Sequence, residues 1–416
     1  MTNPTKRLWL FNHYAQKLSE RGGLARHHAL SEHLASNGWG VTIIAASTEH
    51  PSGRKRFSDF LKPRLENEES CDFFWIPSVE YNGNGWRRMA NMALFSVRCL
   101  LPGTFRHLQK PDVILGSSPH PIAAAIGALY AKKHRVPFVY EIRDLWPEVL
   151  VAMKRLRRDS IVAKLLYRLE RSLVENADLV VTLAPNTSAY MERRRLNCRK
   201  LIWLSNGVDV DRFDPAPPKK AGTFTLMYFG AHGGANGLDT VVRAMKLLED
   251  DPPVGPSPVR LRLVGDGPNK SKLEALANEL GLKNIVFEPS IPKTDIPRLA
   301  SQADAFVFSL IDAPMFEFGI SPNKLFEYMA AARPILLSCR ASGDPVTASQ
   351  SGLVIPPESP TALADAIRTL LALPQEERFA MGQRARAYSS RHFSLKSIAS
   401  ALDRELGTLI ARGQQE

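Results

Sequence analysis

Two series of short apolar segments, each alternating with helical patterns, constrain the fold of this chain more than any other feature. The first series places candidate strands at residues 7–12, 41–45, 73–76, 113–115, 138–141, 179–182 and 201–204. The second series places them at 225–230, 260–264, 285–287, 305–309, 335–337 and 353–355. Short apolar strands separated by helices are typical of parallel sheets covered on both faces. The sequence therefore predicts an α/β chain with two doubly wound, Rossmann-like domains.

Candidate domain boundaries follow from the same pattern. A chain of 416 residues exceeds what one core usually holds, which favours two domains. We predict an N-terminal domain at 1–212, a breaker-rich linker at 213–222 and a C-terminal domain at 223–393. Ligands of open parallel sheets bind at the carboxyl ends of the strands, so two such domains predict a ligand cleft between them.

Composition excludes several classes of protein. No apolar run approaches the roughly 18 residues that span a bilayer, and the N-terminus lacks the apolar core of a signal peptide. We therefore expect a cytoplasmic protein. The cysteines form no C-x-x-C pair, which argues against zinc and against a disulfide framework. They are Cys71, Cys99, Cys198 and Cys339.

The net charge of +12 lies entirely in the first half of the chain. Residues 1–210 carry 31 Lys and Arg against 19 Asp and Glu, whereas the remainder has 23 of each. Two basic stretches, 86–101 and 153–173, also carry bulky apolar residues at helical spacing, which is typical of helices on an anionic membrane surface. A basic surface without a partner is the alternative. Nucleic acid is not expected, because no basic strip alternates with stacking aromatic residues.

Two glycine-rich turns open helices where a phosphate group could bind. Gly22 and Gly23 lie between the first strand and the first helix, and Gly230 and Gly233 directly follow the first strand of the second series. Glycine lets the backbone approach a phosphate closely, and a helix N-terminus offers unpaired N–H groups to it.

A loop and helix beginning at Gly319 add the strongest indication of a ligand. Lys324 lies in the first helical turn and Glu327 follows three residues later, on the same face. Cationic and backbone donors suit a diphosphate, and a carboxylate one turn away suits the hydroxyl groups of a ribose. The combination predicts a nucleotide site. An ordinary amphipathic helix with a solvated Lys and Glu is the alternative.

Taken together, these motifs resemble the family 4 glycosyltransferases of the GT-B fold, and among them the WbuB-like subgroup that makes bacterial surface polysaccharides. The resemblance covers nearly the whole chain in the expected order. It is carried by Gly22-Gly23, Tyr140-Glu-Ile-Arg-Asp-Leu-Trp-Pro-Glu148, Ser205-Asn-Gly-Val-Asp209, Tyr228-Phe-Gly-Ala-His-Gly233, Val264-Gly-Asp-Gly-Pro268 and the segment 319–334.

The resemblance implies a donor site in the C-terminal domain, with the last helix, within 394–416, joined to the N-terminal domain. Glu327 holds the ribose and the loop before it receives the diphosphate. His232 and Asn236 stand where many members have Arg and Lys, and Gly319 stands where many have a second Glu, with Glu317 two positions away. The expected donor-binding residues are Gly22, Gly23, Gly230, His232, Gly233, Asn236, Ser321, Pro322, Asn323, Lys324, Leu325 and Glu327.

The implied reaction is transfer of a sugar with retention at the anomeric carbon and without a bound metal or cofactor. We expect Lys324, Arg143 and Asp144 to be catalytic, with Arg143 in place of a histidine found in many members. Glu141 and His120 are expected on the acceptor side. A same-face attack is favoured because no carboxylate stands out as a nucleophile. For Asp144 and Glu141, the alternative is a structural role in which a strand-end carboxylate pairs with Arg143.

The predicted function is that of a hexosyltransferase in O-antigen, capsule or exopolysaccharide synthesis. Its expected donor is a UDP-linked sugar, with an N-acetylated hexosamine as one candidate. Its expected acceptor is lipid-linked or a glycan, at the inner face of the plasma membrane. A GT-B sugar-nucleotide epimerase is one alternative. A nicotinamide-dependent oxidoreductase is less favoured, because neither glycine turn is followed by the acidic residue that such a fold needs.

Overall fold

The computed structural model describes residues 4–19, 25–58, 61–83, 85–215, 222–252 and 258–413. The chain divides into two compact units, one formed by Met1–Ser205 with Leu395–Glu416 and the other by Asn206–Ser394. The first unit ends at Ser205, before the predicted domain end at residue 212. Val208 already belongs to the second unit, and its backbone N–H donates to the Phe393 carbonyl at 2.9 Å.

The first unit is built on a sheet of eight strands in the order β3-β4-β2-β1-β5-β6-β7-β8. Seven strands run parallel, and β3 pairs antiparallel with β4 at the edge. The strands are β1 (Lys6–Phe11), β2 (Trp39–Ala46), β3 (Arg64–Asn67), β4 (Asp72–Ile76), β5 (Val113–Ser117), β6 (Phe138–Ile142), β7 (Leu179–Thr182) and β8 (Leu201–Trp203). The central strands are buried on both faces, as parallel strands covered by helices must be.

Six helices connect these strands. Helix α3 packs against both α2 and α5, so these three helices form one layer on the sheet. The helices are α1 (Arg26–Ala35), α2 (Trp86–Leu100), α3 (Pro121–His134), α4 (Glu148–Ala152), α5 (Ile161–Asn176) and α6 (Thr187–Arg194).

The second unit has a sheet of six parallel strands in the order β11-β10-β9-β12-β13-β14. This order reverses between β9 and β12, which is the topological switch point of a Rossmann-like domain. The strands are β9 (Phe224–Phe229), β10 (Val259–Val264), β11 (Ile285–Glu288), β12 (Ala305–Ser309), β13 (Ile335–Ser338) and β14 (Gly352–Ile355). The helices are α7 (Leu238–Asp250), α8 (Lys270–Glu279), α9 (Ile296–Ala300), α10 (Asn323–Ala330), α11 (Pro345–Ser349), α12 (Pro360–Ala372) and α13 (Gln375–His392).

The last helix, α14 (Leu395–Gly413), belongs to the first unit and packs against α1. Its Asp403 carboxylate accepts hydrogen bonds from Trp39 Nε1 at 2.7 Å and from Asn37 Nδ2 at 3.0 Å. Leu402 and Leu406 are buried on the same helix, so apolar burial and polar contacts both hold α14 to this unit.

The predicted α/β class with two doubly wound parallel sheets is confirmed. The structure adds β3, which the sequence analysis missed because its residues are mostly polar and exposed. The helix predicted within 153–173 begins later, at Ile161, where the Ser160 hydroxyl accepts a hydrogen bond from the Ala163 N–H at 3.2 Å. The backbone turns at Lys154, whose φ is 56°. Within the described part of the chain, no helix is both long and apolar enough to cross a membrane.

Candidate functional site

The switch point of the second unit brings two predicted segments together. The glycine turn at 230–237 follows β9, and the loop that leads into α10 follows β12. Because β9 and β12 are neighbouring parallel strands, both segments leave the same edge of the sheet. The sequence folds this way because both strands are mostly apolar and fully buried, and Gly230 follows the end of β9.

Lys324 joins these two segments. Its ammonium donates to Tyr228 Oη at 2.7 Å and to Asn236 Oδ1, and it lies 4.5 Å from the Tyr228 ring centroid and 5.0 Å from that of Phe308. Burial lowers the pKa of Lys324 to about 7. No described carboxylate forms an ion pair with it, so its neighbours orient the ammonium without neutralising its charge.

Glycines allow the two loops to pack directly on each other. Gly230 has φ 144°, and a Cβ atom there would lie 3.1 Å from Lys324 Cδ. A Cβ atom on Gly265 would lie 1.9 Å from the Gly230 carbonyl oxygen, and one on Gly267 would lie 2.6 Å from that of His232. The Gly-Asp-Gly motif after β10 therefore supports the glycine turn after β9, since no larger residue fits there.

The imidazole of His232 is buried in this turn without a hydrogen-bond partner among the described residues. The residue is 0% exposed, and neither Nδ1 nor Nε2 contacts a donor or acceptor there. Burial, followed by the nearby charges of Lys270 and Lys324, lowers the pKa of this imidazole. A neutral imidazole with an unused N–H group is a donor available to a ligand oxygen.

The start of α10 is free of side-chain caps. Pro322 occupies the N-cap position, and its side chain has no hydrogen-bonding atom, so the first turn beginning at Asn323 can offer N–H groups to a ligand. Ser321 is held by Asn206, whose N–H donates to Ser321 Oγ and whose Nδ2 donates to the Ser321 carbonyl, both at 2.7 Å. Leu325 is fully buried and anchors the helix, so it supports the site through packing.

Glu327 lies one turn further along α10. Burial raises the pKa of this carboxyl, and the charges of Lys293 and Arg212 oppose the rise. Within the described residues the Glu327 carboxylate forms no hydrogen bond or ion pair. The carboxylate is therefore available to a ligand, as the ribose prediction requires.

In the first unit, Glu141 is fully engaged by the protein. Its Oε1 accepts from Arg26 Nε at 3.0 Å, and its Oε2 accepts from His27 Nε2 and from Ser117 Oγ, both at 2.7 Å. Because Asn12 Nδ2 donates to His27 Nδ1 at 2.8 Å, this imidazole carries its proton on Nε2.

These contacts give Glu141 a structural role. Burial alone would raise its pKa, but His27 and Arg26 outweigh burial and hold the pKa of Glu141 well below its ordinary value. With the residue only 2% exposed and both oxygens occupied, Glu141 cannot orient an acceptor. The acceptor-side prediction for Glu141 is corrected: it fastens α1 to β6.

Arg143 and Asp144 lie in the loop after β6. Ser118 Oγ accepts hydrogen bonds from their backbone N–H groups, at 3.0 Å for Arg143 and 3.4 Å for Asp144. Arg143 is half-buried with Nη1 lacking a partner, and Asp144 is exposed. Among the described residues no ion pair joins the two side chains, so the alternative of a structural Arg143–Asp144 pair is not realised. His120 follows Ser118 by two residues, at the start of α3, and is buried.

The structure thus groups the predicted residues into two clusters, one in each unit. The cluster of the first unit contains Arg143 and Asp144, whose backbone binds Ser118, and His120, which follows Ser118 in the chain. Gly230, His232, Asn236 and Lys324 meet in the second unit, with Gly233 in the same turn. Gly22 and Gly23 lie outside the described residues. Within the ranges that the structure describes, no group of His, Cys, Asp and Glu side chains could hold a metal ion, and metal independence stays a prediction.

Both clusters also contain residues that the sequence motifs alone did not indicate. Tyr228 positions Lys324, and Asn206 positions Ser321. Both belong to motifs that carry the family resemblance, which could have drawn attention to them. His13 and Arg88 in the first unit had no such signal, because they lie far apart in sequence and outside those motifs.

Comparison with known families covers most of the chain. Residues 22–207 match the family described as "Glycosyl transferase 4-like domain", and residues 223–373 match "Glycosyl transferases group 1". Among similar proteins, the glycosyl transferase WcaI of Escherichia coli K12, named for colanic acid biosynthesis, is 23% identical over 386 residues, which is 88% of this chain and 91% of that protein. The glycosyltransferase WbjE of Pseudomonas aeruginosa is 25% identical over 293 residues, 67% of this chain and 70% of its own.

Solved structures with the same fold align with nearly the full length of this chain. Sucrose-phosphate synthase of Thermosynechococcus elongatus aligns with a TM-score of 0.75 at 19% identity, covering 98% of this chain and 100% of that one. HepE of Anabaena, crystallised with UDP, aligns with a TM-score of 0.66 at 16% identity, covering 97% and 100%. At these identities the similarity establishes the fold of the chain.

Proposed function

This chain belongs to the family 4 glycosyltransferases of the GT-B fold, and from that premise we propose that it transfers a sugar from a UDP-linked donor to a lipid-linked acceptor during the synthesis of a bacterial surface polysaccharide. The proposal includes retention at the anomeric carbon and no bound metal. The UDP complex of HepE and the naming of WcaI for colanic acid biosynthesis support the choice of donor and pathway class.

One observation carries the proposal of a diphosphate donor. The Lys324 side chain is half-buried, and within the described residues its ammonium contacts neutral groups only, beside a glycine turn and an uncapped helix start. A cation held partly out of water without an anionic partner is unfavourable unless a ligand supplies the negative charge. A diphosphate matches this need, because it accepts hydrogen bonds from the ammonium and from backbone N–H groups together.

The proposed chemistry follows from charge development on the leaving group. The bond between the anomeric carbon and the β-phosphate oxygen breaks, and the acceptor hydroxyl oxygen bonds to the same face of the sugar. The hydroxyl proton passes to the departing phosphate, so UDP leaves. Lys324 stabilises the growing negative charge, which is where a preorganised cation lowers a barrier most. Arg143 and Asp144 are proposed to contact the reacting groups.

A lipid-linked acceptor is supported by the surface of the first unit. The layer of α2, α3 and α5 exposes apolar side chains, with Trp86 75% and Ile161 77% exposed. Exposed cations lie between them, among them Arg87 and Lys164. Apolar side chains interspersed with cations fit an anionic bilayer surface, where the apolar groups insert and the cations contact headgroups. The exposed apolar residues of this layer are Trp86, Met89, Val97, Leu100, Ile122, Leu129, Ile161, Val162 and Leu165.

Thermal unfolding against a panel of nucleotide-sugars tests the donor assignment, because a ligand stabilises in proportion to its occupancy. We expect UDP-sugars to raise the melting temperature and Lys324→Met to reduce this increase. Release of UDP that depends on a lipid-linked acceptor would then support transfer. Epimerised donor without an acceptor would support the epimerase instead, and stabilisation by nicotinamide dinucleotides alone would contradict both.

A further inference from the structure

Three histidines meet at the carboxyl edge of the sheet in the first unit. His13 follows β1, His50 follows β2 and His120 follows β5, and these strands are neighbours in the sheet. The His13 and His120 ring centroids are 4.7 Å apart. The Tyr14 ring bridges the other pair, at 4.4 Å from His13 and 4.7 Å from His50. Ligands of parallel α/β sheets bind at this edge.

The hydrogen-bonding capacity of this cluster is largely unused. His120 is 1% exposed, and neither of its ring nitrogens has a hydrogen-bond partner among the described residues. His13 is also 1% exposed; its Nε2 contacts Asn91 Oδ1 at 2.8 Å, and its Nδ1 has no partner. Arg143 adds an unpartnered Nη1. Buried polar atoms are almost always hydrogen-bonded, so several unpartnered ones in one place indicate a missing ligand.

The cluster is also electropositive. Arg88 donates from Nε to Tyr14 Oη at 2.9 Å, and its charge acts on His13, His50 and His120. Arg143 acts on His50 as well. Burial and these cations lower the pKa of His50 to about 4 and of His120 to about 3, so both imidazoles are neutral near pH 7.

Within the described ranges, the groups that shift the pKa of His13, His50 and His120 include no Asp or Glu. Glu141 is bound to Arg26, and Asp144 faces Arg143 from an exposed position. Two guanidinium groups beside neutral imidazole donors suit an oxyanion with several acceptor oxygens.

We propose that Arg88, Arg143 and His120 form a binding site for a phosphate or diphosphate ester. The identity of this ligand rests on the proposed function: it is the phosphate group of the lipid-linked acceptor, because the groups proposed to bind the donor diphosphate lie in the second unit. The diphosphate of the donor carries the same chemical group and is the alternative ligand for this site. Arg88 and His120 then act by holding the acceptor, and His120 donates its one N–H group to a phosphate oxygen.

Binding of inorganic pyrophosphate tests the site without any turnover. Calorimetry is done on Lys324→Met, which removes the main cation of the second unit, and on the same protein with Arg88→Gln or Arg87→Gln added. Arg87 is the matched control, because it precedes Arg88 on α2 but is exposed and stacks on Trp86. We expect Arg88→Gln to weaken binding by about tenfold or more, as the loss of a charge-assisted hydrogen bond predicts, and Arg87→Gln to leave it unchanged. Arg143→Gln is the second variant if Arg88→Gln lowers the melting temperature.

Competition kinetics then identify the source of the phosphate. The proposal is supported if pyrophosphate competes with the acceptor in the wild-type enzyme. It is also supported if Arg88→Gln raises the KM for the acceptor and leaves the KM for the donor unchanged. Competition with the donor alone would assign the cluster to the donor and overturn it. Equal effects of Arg87→Gln and Arg88→Gln, or no pyrophosphate binding to the Lys324→Met protein, would also overturn it. Pyrophosphate binding does not require turnover, so a failed transferase assay would leave this result interpretable.

Discussion

The pKa of Lys324 leads to a prediction about donor binding and pH. In the protein without ligand, burial lowers this pKa to about 7. A bound diphosphate favours the charged ammonium and must raise the pKa, so binding takes up a proton wherever the free protein is deprotonated. Donor affinity should therefore be constant below pH 7 and fall as the pH rises above it.

The magnitude follows from the two pKa values. If the bound pKa is about 9 or higher, affinity should weaken by about thirtyfold between about pH 6 and about pH 8.5. Proton uptake on binding should grow from about 0.1 at pH 6 to about 0.9 at pH 8. A nucleotide-sugar is the proper ligand, because its diphosphate has no terminal phosphate that titrates in this range.

Calorimetry in two buffers with different ionisation enthalpies measures both quantities. Lys324→Arg is the matched control, since an arginine stays charged throughout and should make affinity independent of pH. The wild-type protein and this variant share His232, so a slope that persists in Lys324→Arg would assign the proton to another group. Constant wild-type affinity and no proton uptake at pH 8 would refute the contact between Lys324 and the diphosphate.

Three further predictions concern other parts of the molecule. Glu327→Ala should weaken donor binding about a hundredfold, or ~3 kcal/mol, because two charge-assisted hydrogen bonds to the ribose are lost; unchanged calorimetric affinity would contradict the ribose assignment. Glu141→Gln should lower the free energy of unfolding in urea by about 3 kcal/mol, because the Arg26 charge stays buried without its partner, and an unchanged midpoint would contradict the structural role. The wild-type protein should sediment with vesicles containing anionic lipid at low salt and release from them at ~0.5 M salt. In that assay Trp86→Ala with Ile161→Ala should reduce binding while the exposed control Val286→Ala, in the second unit, does not.

The sequence predicted the fold well because its strands are apolar on both faces. Such segments, of which 335–337 is an example, cannot be stable on a surface, so their pattern alone indicates buried parallel strands. The strand β3 escaped this argument, because only Leu65 is apolar in Arg64–Asn67 and the pairing with β4 depends on backbone hydrogen bonds. Backbone pairing leaves little trace in a sequence.

The site was predicted in the second unit and only partly in the first. Lys324 and Glu327 are close in sequence, so helix geometry alone places them on one face. The cluster around His120 depends on residues that follow β1, β2, β5 and β6 and on Arg88 of α2, and no spacing in the sequence joins them. Glu141 was misassigned for a related reason: its partners Arg26 and His27 come from α1, which only the folded sheet brings to β6.

The distribution of charge around the proposed donor site explains why Lys324 should matter more here than one lysine would elsewhere. Many family members are expected to place Arg and Lys around the glycine turn, whereas this chain has His232 and Asn236. His232 is neutral near pH 7 because burial and two nearby lysines lower its pKa, and the Asn236 amide carries no charge. Lys270 lies nearby, but its ammonium is already bound to the Gly265 and Glu288 carbonyls, each at 2.9 Å, and to Asp266 at 3.2 Å. Among the described residues around the turn, Lys324 therefore supplies most of the positive charge available to a ligand. Loss of Lys324 should reduce turnover more than donor binding, because the ammonium stabilises the phosphate most strongly as negative charge develops on it during departure.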